Sequence, residues 1–215
     1  ALGNGGLLRH TASDSTYFYP VGSSINPARL RPAQLKPAST GAGAYKVRMT
    51  NIDATNEGWD RSLKGFNICE VNPLFFHRIS RTQGNIPAIV GLYYNASQDG
   101  SFEGIAKWYP SNLWEETTPA SNTSNSTYGL EVLEYSSAFD DFSPNAFALA
   151  QTSPPVSLTT TANPICSNDT LTLTASNSGV AYDNYDFFLV MGIGKDPFYS
   201  IFVTGDQYCN FNKCI

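Results

Sequence analysis

Residues 163–176 read NPICSNDTLTLTAS, which is a proline turn, a cysteine and then a run in which threonine alternates with other residues. Alternation over several residues is typical of a half-buried β-strand. We interpret the stretch as the opening of an Ig-like β-sandwich module. Only about 50 residues follow Pro164, whereas a complete sandwich of this kind needs on the order of 100. We therefore expect a module that is abbreviated or is completed by another chain.

The rest of the chain also predicts β structure. Short apolar or alternating runs are bounded by Gly, Pro, Asn, Asp or Ser, and the 13 prolines and 17 glycines interrupt every window in which an amphipathic helix could form. One helical candidate, residues 109–116, spans at most two turns. The fold class predicted is all-β, an antiparallel β-sandwich followed by a short Ig-like β module. The predicted strands are residues 17–21, 44–50, 74–79, 86–94, 104–108, 129–135 and 146–150.

The pair Pro154-Pro155 marks the best domain boundary, because two prolines stiffen a connection and cannot continue a central strand. An alternating segment begins directly after it at Val156. We predict a β-sandwich domain over residues 1–153 and an abbreviated Ig-like module over residues 154–215.

Composition favours an extracellular protein. The chain of 215 residues is 41% hydrophobic, which is enough for a buried core, but only 14% charged, and Ser, Thr and Asn supply the polar surface. The net charge of -5, with scattered Lys and Arg, argues against nucleic acid as a partner. No apolar run is long enough to span a membrane. A chain that starts Ala1-Leu2-Gly3 is interpreted as a processed product or an excised piece.

The four cysteines predict disulfides rather than thiols, because their number is even and the composition is that of a secreted protein. Their spacing does not fit a zinc site. Three pairings are open, and we favour one in which Cys166 pairs within the C-terminal module. The candidates are Cys69, Cys166, Cys209 and Cys214.

The sequence predicts neither an enzyme nor a cofactor or metal site. It contains no nucleophile elbow, no zinc-protease motif and no phosphate loop. His77 follows an apolar run, where a packed, hydrogen-bonded histidine is commoner than a general base, and His10 lies among residues with turn character. Oxygen-bearing side chains between Asn51 and Asp60 lack the EF-hand spacing, so we interpret them as a solvated loop.

Aromatic side chains allow two interpretations. Trp108 and Trp114 could stack on a sugar ring, yet aromatics at alternating strand positions are more often packed in a core or on a sheet face. Both residues are kept as candidate ligand-stacking positions, and glycans as candidate partners.

Several asparagines stand in Asn-x-Ser/Thr sequons, the acceptor pattern for N-linked glycans. Such sequons arise readily by chance in a chain rich in Asn, Ser and Thr. The candidate acceptors are Asn95, Asn122, Asn125 and Asn168.

The order of motifs resembles the β-sandwich and Ig-like modules of secreted surface proteins of the Bacteroidetes, which are often cargo of type IX secretion. GLLRH at residues 6–10 followed by YFYPVGS at residues 17–23 is similar to the opening of such a sandwich. IAKW at residues 105–108 with Trp114 is similar to a later strand. CSNDTLTLTA at residues 166–175 is similar to their Ig-like repeats. Also similar in order are residues 72–79 (NPLFFHRI) and 182–189 (YDNYDFFL).

This resemblance implies a fold and a cell-surface location more than an activity. It also implies O-glycosylation at Asp-Ser/Thr followed by a small or apolar residue, which makes Ser15 and Thr170 candidate sites. The chain lacks the C-terminal sorting domain that such cargo usually carries, so we expect that domain to be removed or export to differ.

We expect a structural subunit of a bacterial cell-surface filament or array. Its subunits would assemble by β-strand complementation, with residues 1–8 as the donor segment. The alternative is a monomeric adhesin or carbohydrate-binding module of a larger secreted protein.

Overall fold

A computed structural model describes residues 5–25, 27–65, 67–115, 121–125, 128–152, 157–160, 173–176, 186–191 and 199–204. For residues 121–125 and for the strands after residue 152, it describes backbone pairing only. The chain divides into two compact units, Ala1–Thr152 and Ser153–Ile215.

Fourteen described strands belong to the first unit, and the connecting segments include a short 3-10 helix, Ala54–Glu57, and one helical turn, α1 (Ala96–Asp99). The strands are β1 (Leu7–Thr11), β2 (Tyr17–Tyr19), β3 (Gly22–Ser23), β4 (Arg29–Leu30), β5 (Ala33–Pro37), β6 (Gly43–Thr50), β7 (Ile68–Val71), β8 (Phe76–Gln83), β9 (Ala88–Tyr94), β10 (Gly104–Trp108), β11 (Trp114–Glu115), β12 (Ser121–Asn125), β13 (Leu130–Glu134) and β14 (Ala146–Thr152).

Two antiparallel sheets form the sandwich. Sheet A has the strand order β1-β6-β8-β14-β10-β11, with β7 also pairing with β14. Sheet B has the order β12-β13-β9-β5-β2. The predicted all-β class is confirmed, because antiparallel sheets packed face to face are the architecture of a β-sandwich.

The main core lies between these sheets and is built from alternate residues of their strands. Tyr45, Val47 and Met49 of β6 meet Leu35, Val90 and Leu92 of sheet B in one buried cluster. The residues between them on β6, Lys46 and Arg48, are half-buried on the opposite face of sheet A. This alternation is the period of two that a strand imposes on its side chains.

The outer face of sheet A is partly covered by the segment between β6 and β7. Ala54 and Ile68 join Phe76, Trp108 and Trp114 in a second buried cluster, to which small side chains of β14 contribute. Ala146, Ala148 and Ala150 are all buried there, and their small size leaves room for the indoles. Sheet A is therefore buried on both faces near its centre.

The second unit is described by two antiparallel strand pairs. β15 (Ser157–Thr160) pairs with β16 (Leu173–Ser176), and β17 (Asp186–Met191) pairs with β18 (Tyr199–Thr204). β16 lies within the alternating stretch of residues 163–176. The Ig-like identity of this unit and the predicted boundary at Pro154 stay predictions.

The seven predicted strands of the first unit all coincide with observed strands, within a few residues at their ends. Two expectations were wrong. His10 lies in β1 rather than in a turn, and residues 109–116 contain a turn and β11 instead of a helix. Seven strands of the first unit were not predicted: β1, β3, β4, β5, β7, β11 and β12. Most of them have only two residues or lack a sustained apolar alternation, whereas β5 (AQLKP) does alternate and was missed.

Candidate functional site

The edge of sheet A is formed by β1, an exposed strand. Four of its five residues are exposed, including Leu7 at 36% and Leu8 at 49% of their accessible surface. Among the described strands β1 pairs with β6 alone, in an antiparallel register that places Leu8 opposite Lys46. The strand is therefore attached mainly by its backbone ladder and contributes little to the core.

Side chains hold β1 to the neighbouring β2. The Arg9 guanidinium donates a 2.6 Å hydrogen bond to the Phe18 carbonyl and lies over the rings of Tyr17 and Tyr19. The Tyr17 hydroxyl accepts hydrogen bonds from the backbone N–H groups of Ala12 (3.0 Å) and Ser13 (3.2 Å). Hydrogen bonding with the Ser13 side chain and from these two amides lowers the pKa of Tyr17. These contacts fix the turn that follows β1.

A cleft of about 430 Å³ opens at the beginning of β1. Apolar side chains, among them Val21, Ile25 and Met49, line it together with Gly5 and Gly6. A Cβ atom at residue 6 would come within 3.0 Å of the Val47 carbonyl oxygen. Glycine is thus the residue that lets the chain approach β6 this closely.

A second feature, here called the basic cleft, lies on the outer face of sheet A beside β1. It has a volume of about 320 Å³. Its described lining contains three cationic side chains and no carboxylate. Arg48 stands directly opposite Arg78 in the β6–β8 register, and Lys46 stands opposite Ser80. The lining residues are Gly5, Lys46, Arg48, Arg78, Ser80 and Asn145.

Glu57 bridges the two arginines of the basic cleft. One carboxylate oxygen accepts from Arg48 at 3.1 Å and the other from Arg78 at 3.3 Å. Glu57 is the last residue of the 3-10 helix Ala54–Glu57, and the Asp53 carboxylate accepts from the Thr55 amide at the N-terminus of this helix. Gly58 ends the helix with φ of 95°, a conformation that favours glycine.

A buried polar cluster includes His77, which precedes Arg78 in β8 and so points to the opposite face of the strand. The His77 Nε2–H donates a 2.8 Å hydrogen bond to the Arg31 carbonyl, and Arg31 pairs with the buried Asp99. Burial lowers the pKa of His77 to about 4, and the nearby Arg31 charge adds to the effect. The expectation of a packed, hydrogen-bonded histidine is confirmed, because the side chain is fully buried.

Lys107 is a buried lysine on β10, which lies between β14 and the edge strand β11 of sheet A. Its ammonium lies 4.1 Å from the ring centroid of Tyr109 and has no hydrogen-bond partner among the described residues. Burial lowers its pKa, against the attraction of Asp141 and Glu115.

The two candidate stacking residues are core residues. Trp108 and Trp114 pack edge to face with their ring centroids 5.6 Å apart, and both are almost fully buried. This corrects the expectation of a stacking platform, because neither indole presents a free face to a sugar ring in this structure. Their apolar surface is used to cover sheet A.

Few of the predicted modification sites fall in the described part of the chain. Ser15 is exposed in the turn after β1. Asn95 precedes α1, and its side-chain oxygen accepts from the Ser97 amide. Asn122 and Asn125 lie on β12, of which only the backbone is described. Asn168 and Thr170 lie outside the described residues, and modification at all six sites stays a prediction.

Cys69 is half-buried in β7. Cys166, Cys209 and Cys214 lie outside the described residues. The disulfide pairing therefore stays a prediction.

The loop between Asn51 and Asp60 directs its carboxylates to protein donors. Asp53 pairs with Arg61, Glu57 with the two arginines of the basic cleft, and Asp60 accepts from the Ser62 amide and hydroxyl. Within the described ranges no group of three or more His, Cys, Asp or Glu side chains converges as metal ligands would. The described residues include no helix of the length and hydrophobicity needed to cross a membrane.

Comparisons of the chain with known protein families, with curated proteins and with solved structures find no match. The case for function thus depends on the site geometry. The basic cleft was missed from the sequence, although Lys46 and Arg48 alternate with buried apolar residues and so signal a cationic strand face. Nothing in the sequence indicated that Arg78 and Glu57 would join that face.

Proposed function

We propose that the chain is a structural subunit of an extracellular bacterial surface filament or array, in which neighbouring subunits join by β-strand complementation. The observation that carries the proposal is the exposure of four of the five residues of the edge strand β1. No catalytic step is assigned to the chain.

Detachment of β1 would cost little burial of apolar surface. Leu7 and Leu8 are already exposed, and Thr11 is the strand's only buried residue. The main interactions lost would be the backbone hydrogen bonds between β1 and β6. The identical segment of another copy can form the same hydrogen bonds with β6. Exchange of an identical element between protomers is a low-cost route to association.

Strand exchange propagates when it runs in one direction. If β1 of one subunit pairs with β6 of the next, that second subunit's own β1 is released for a third. Such a head-to-tail interface is heterologous, and it generates a filament when the rotation between subunits does not close a ring. An exposed edge strand that carries leucines is the surface on which such pairing begins.

The decisive experiment is a cysteine trap for the β1–β6 register. Leu8 and Lys46 are directly opposed, so the variant Leu8→Cys/Lys46→Cys can form a disulfide across this ladder. Strand exchange predicts covalent multimers on a non-reducing gel, and electron microscopy of the same sample should show fibres. The single variants Leu8→Cys and Lys46→Cys control for the four natural cysteines. A trapped monomer at every concentration, with monomeric light scattering, would reject the proposal.

The second candidate function is a monomeric adhesin or carbohydrate-binding module. Trp108 and Trp114 do not support carbohydrate binding, because both side chains are buried.

A further inference from the structure

We propose that the edge of β6 accepts the β1 segment in a single register, which is set by Gly6, Arg9 and Thr11. This register selects the β1 segment of another copy of this chain over other extended segments. The inference rests on the strand exchange of the proposed function, and it names what that exchange recognises.

The backbone ladder between β1 and β6 does not fix the register by itself. A shift of one residue would turn every side chain of β1 to the opposite face of the sheet. A shift of two residues restores the faces and allows a ladder of the same type. Leu7 and Leu8 are exposed, so they give little preference between these registers. The choice between registers separated by two residues therefore depends on other residues of the segment.

Arg9 makes contacts that belong to the observed register. It stands opposite Tyr45 of β6, and its guanidinium reaches β2. There it donates a 2.6 Å hydrogen bond to the Phe18 carbonyl and lies 5.5 Å from the ring centroid of Tyr17 and 5.9 Å from that of Tyr19. A shift of two residues moves the strand by roughly 7 Å and would disrupt this arrangement of one carbonyl and two rings.

Thr11 opposes a shift toward the start of β6. It is buried and stands opposite Gly43, where a Cβ atom would come within 3.0 Å of the Thr11 hydroxyl oxygen. A two-residue shift in this direction would place Arg9 opposite Gly43. A charged side chain would then enter a space that holds a buried threonine, and burial of a charge without a partner is strongly unfavourable.

Gly6 opposes a shift toward the end of β6. A Cβ atom at this position would lie 3.0 Å from the Val47 carbonyl oxygen. A two-residue shift in this direction would bring Leu8 to the place of Gly6, and its Cβ atom would crowd a backbone oxygen of β6. The segment is thus held from both sides, and the pattern Gly-x-x-Arg-x-Thr describes what the edge of β6 accepts.

The test is disulfide trapping between a synthetic peptide and the full chain. The peptide copies residues 5–12 and carries Leu8→Cys as an activated mixed disulfide. The chain variant Lys46→Cys reports the observed register, because Leu8 and Lys46 are opposed. Ala44→Cys and Arg48→Cys report shifts of two residues in the two directions. We expect Lys46→Cys to be labelled about tenfold faster than either of the others, as measured by mass spectrometry.

Three controls make the labelling rates comparable. Each rate is divided by the rate with activated free cysteine, which corrects for the accessibility of the thiol. The wild-type chain gives the background from the four natural cysteines. Thermal melts verify that each chain variant is folded.

Peptide variants leave the folded chain unaltered and test the register residues one at a time. Arg9→Leu in the peptide should slow the labelling of Lys46→Cys about fivefold, because it removes the contacts with Phe18 and the tyrosine rings. Gly6→Ala should slow it as well. The matched control is His10→Gln, since His10 is exposed and adjacent to Arg9, and the rate should change less than about twofold.

Two results would overturn this inference and leave the filament proposal standing. These are equal labelling of the three cysteine positions, and an Arg9→Leu peptide that reacts as fast as the unaltered peptide. Either result would show strand exchange without a fixed register. No labelling above background at any position would instead reject strand exchange itself, and this inference with it.

Discussion

Sheet A contains two strands of opposite character, β1 at one edge and β10 in the interior between β14 and β11. Every residue of β10 is buried, whereas β1 has four exposed residues out of five. Both are five-residue antiparallel strands of the same sheet, but β10 pairs with β14 on one side and β11 on the other, whereas β1 pairs with β6 alone among the described strands. Pairing on both sides and full side-chain burial distinguish a strand that holds the fold together from one that can be exchanged.

The strongest test of this contrast is a truncation at the centre against one at the edge. Phe147 is fully buried and lies opposite Lys107 of β10. Phe147→Ala should lower the free energy of unfolding by roughly 3–5 kcal/mol, since it removes a buried ring and leaves a cavity. Leu8→Ala should cost less than about 0.5 kcal/mol. Urea denaturation measures the free energy of unfolding of both variants. Similar losses would show that burial does not distinguish the two positions.

The polar cluster around Asp99 extends the contrast to charged groups. Asp99→Ala leaves the guanidinium of Arg31 buried without its carboxylate, and removing one partner of a buried pair typically costs about 3 kcal/mol or more. Asp140 is exposed, so Asp140→Ala serves as the matched surface control, with an expected loss below about 0.5 kcal/mol. If guanidinium chloride denaturation gave equal midpoints for the two variants, burial would not be what makes the Arg31–Asp99 pair important.

The buried His77 should make the free energy of unfolding depend on pH. Its pKa is about 4 in the folded chain and about 6.5 when unfolded, so the unfolded chain binds the proton first as pH falls. The stability that neutral His77 provides is complete above pH 6.5 and is lost between there and pH 4. From pH 7 to pH 5 the loss is about 2 kcal/mol.

Denaturation at both pH values tests this, with His77→Gln expected to remove most of the pH dependence. His10→Gln is the control, because it removes an exposed histidine of β1 instead of a buried one. A steep loss of stability that persists in His77→Gln would assign the effect to other groups.

The smallest expected effect concerns the contacts that hold β1. Tyr17→Phe removes the hydroxyl that accepts from the Ala12 and Ser13 amides. Amide hydrogen exchange in β1 should then become roughly fivefold faster, while exchange in β10 is unchanged. Tyr109→Phe is a comparable change outside the β1 region. Equal acceleration in β1 and β10 would mean that the edge does not open independently.

Most interior strands were predictable because each carries its own pattern. Tyr45, Val47 and Met49 alternate with polar residues, and residues 104–108 form a short apolar run between glycine and a turn. β1 was not predictable, since Leu7-Leu8-Arg9-His10 has no alternation and is a strand only because β6 offers it an unpaired edge. The residues considered for the candidate site divide in the same way, into those that a local pattern indicates and those that only the fold brings together. Trp108 and Trp114 were visible as aromatics, but their burial depends on the alanines of β14, which only the fold places beneath them.

By itself, the sequence determined the all-β class, most interior strands and the packed role of His77, because these depend on local alternation and on the apolar neighbours of each residue. Only the tertiary structure decided that Arg78 and Glu57 meet Lys46 and Arg48, and that β1 lies exposed at an edge. Those outcomes depend on the register between β6 and β8 and on strand order. Residues far apart in the chain set both through packing that no local pattern records.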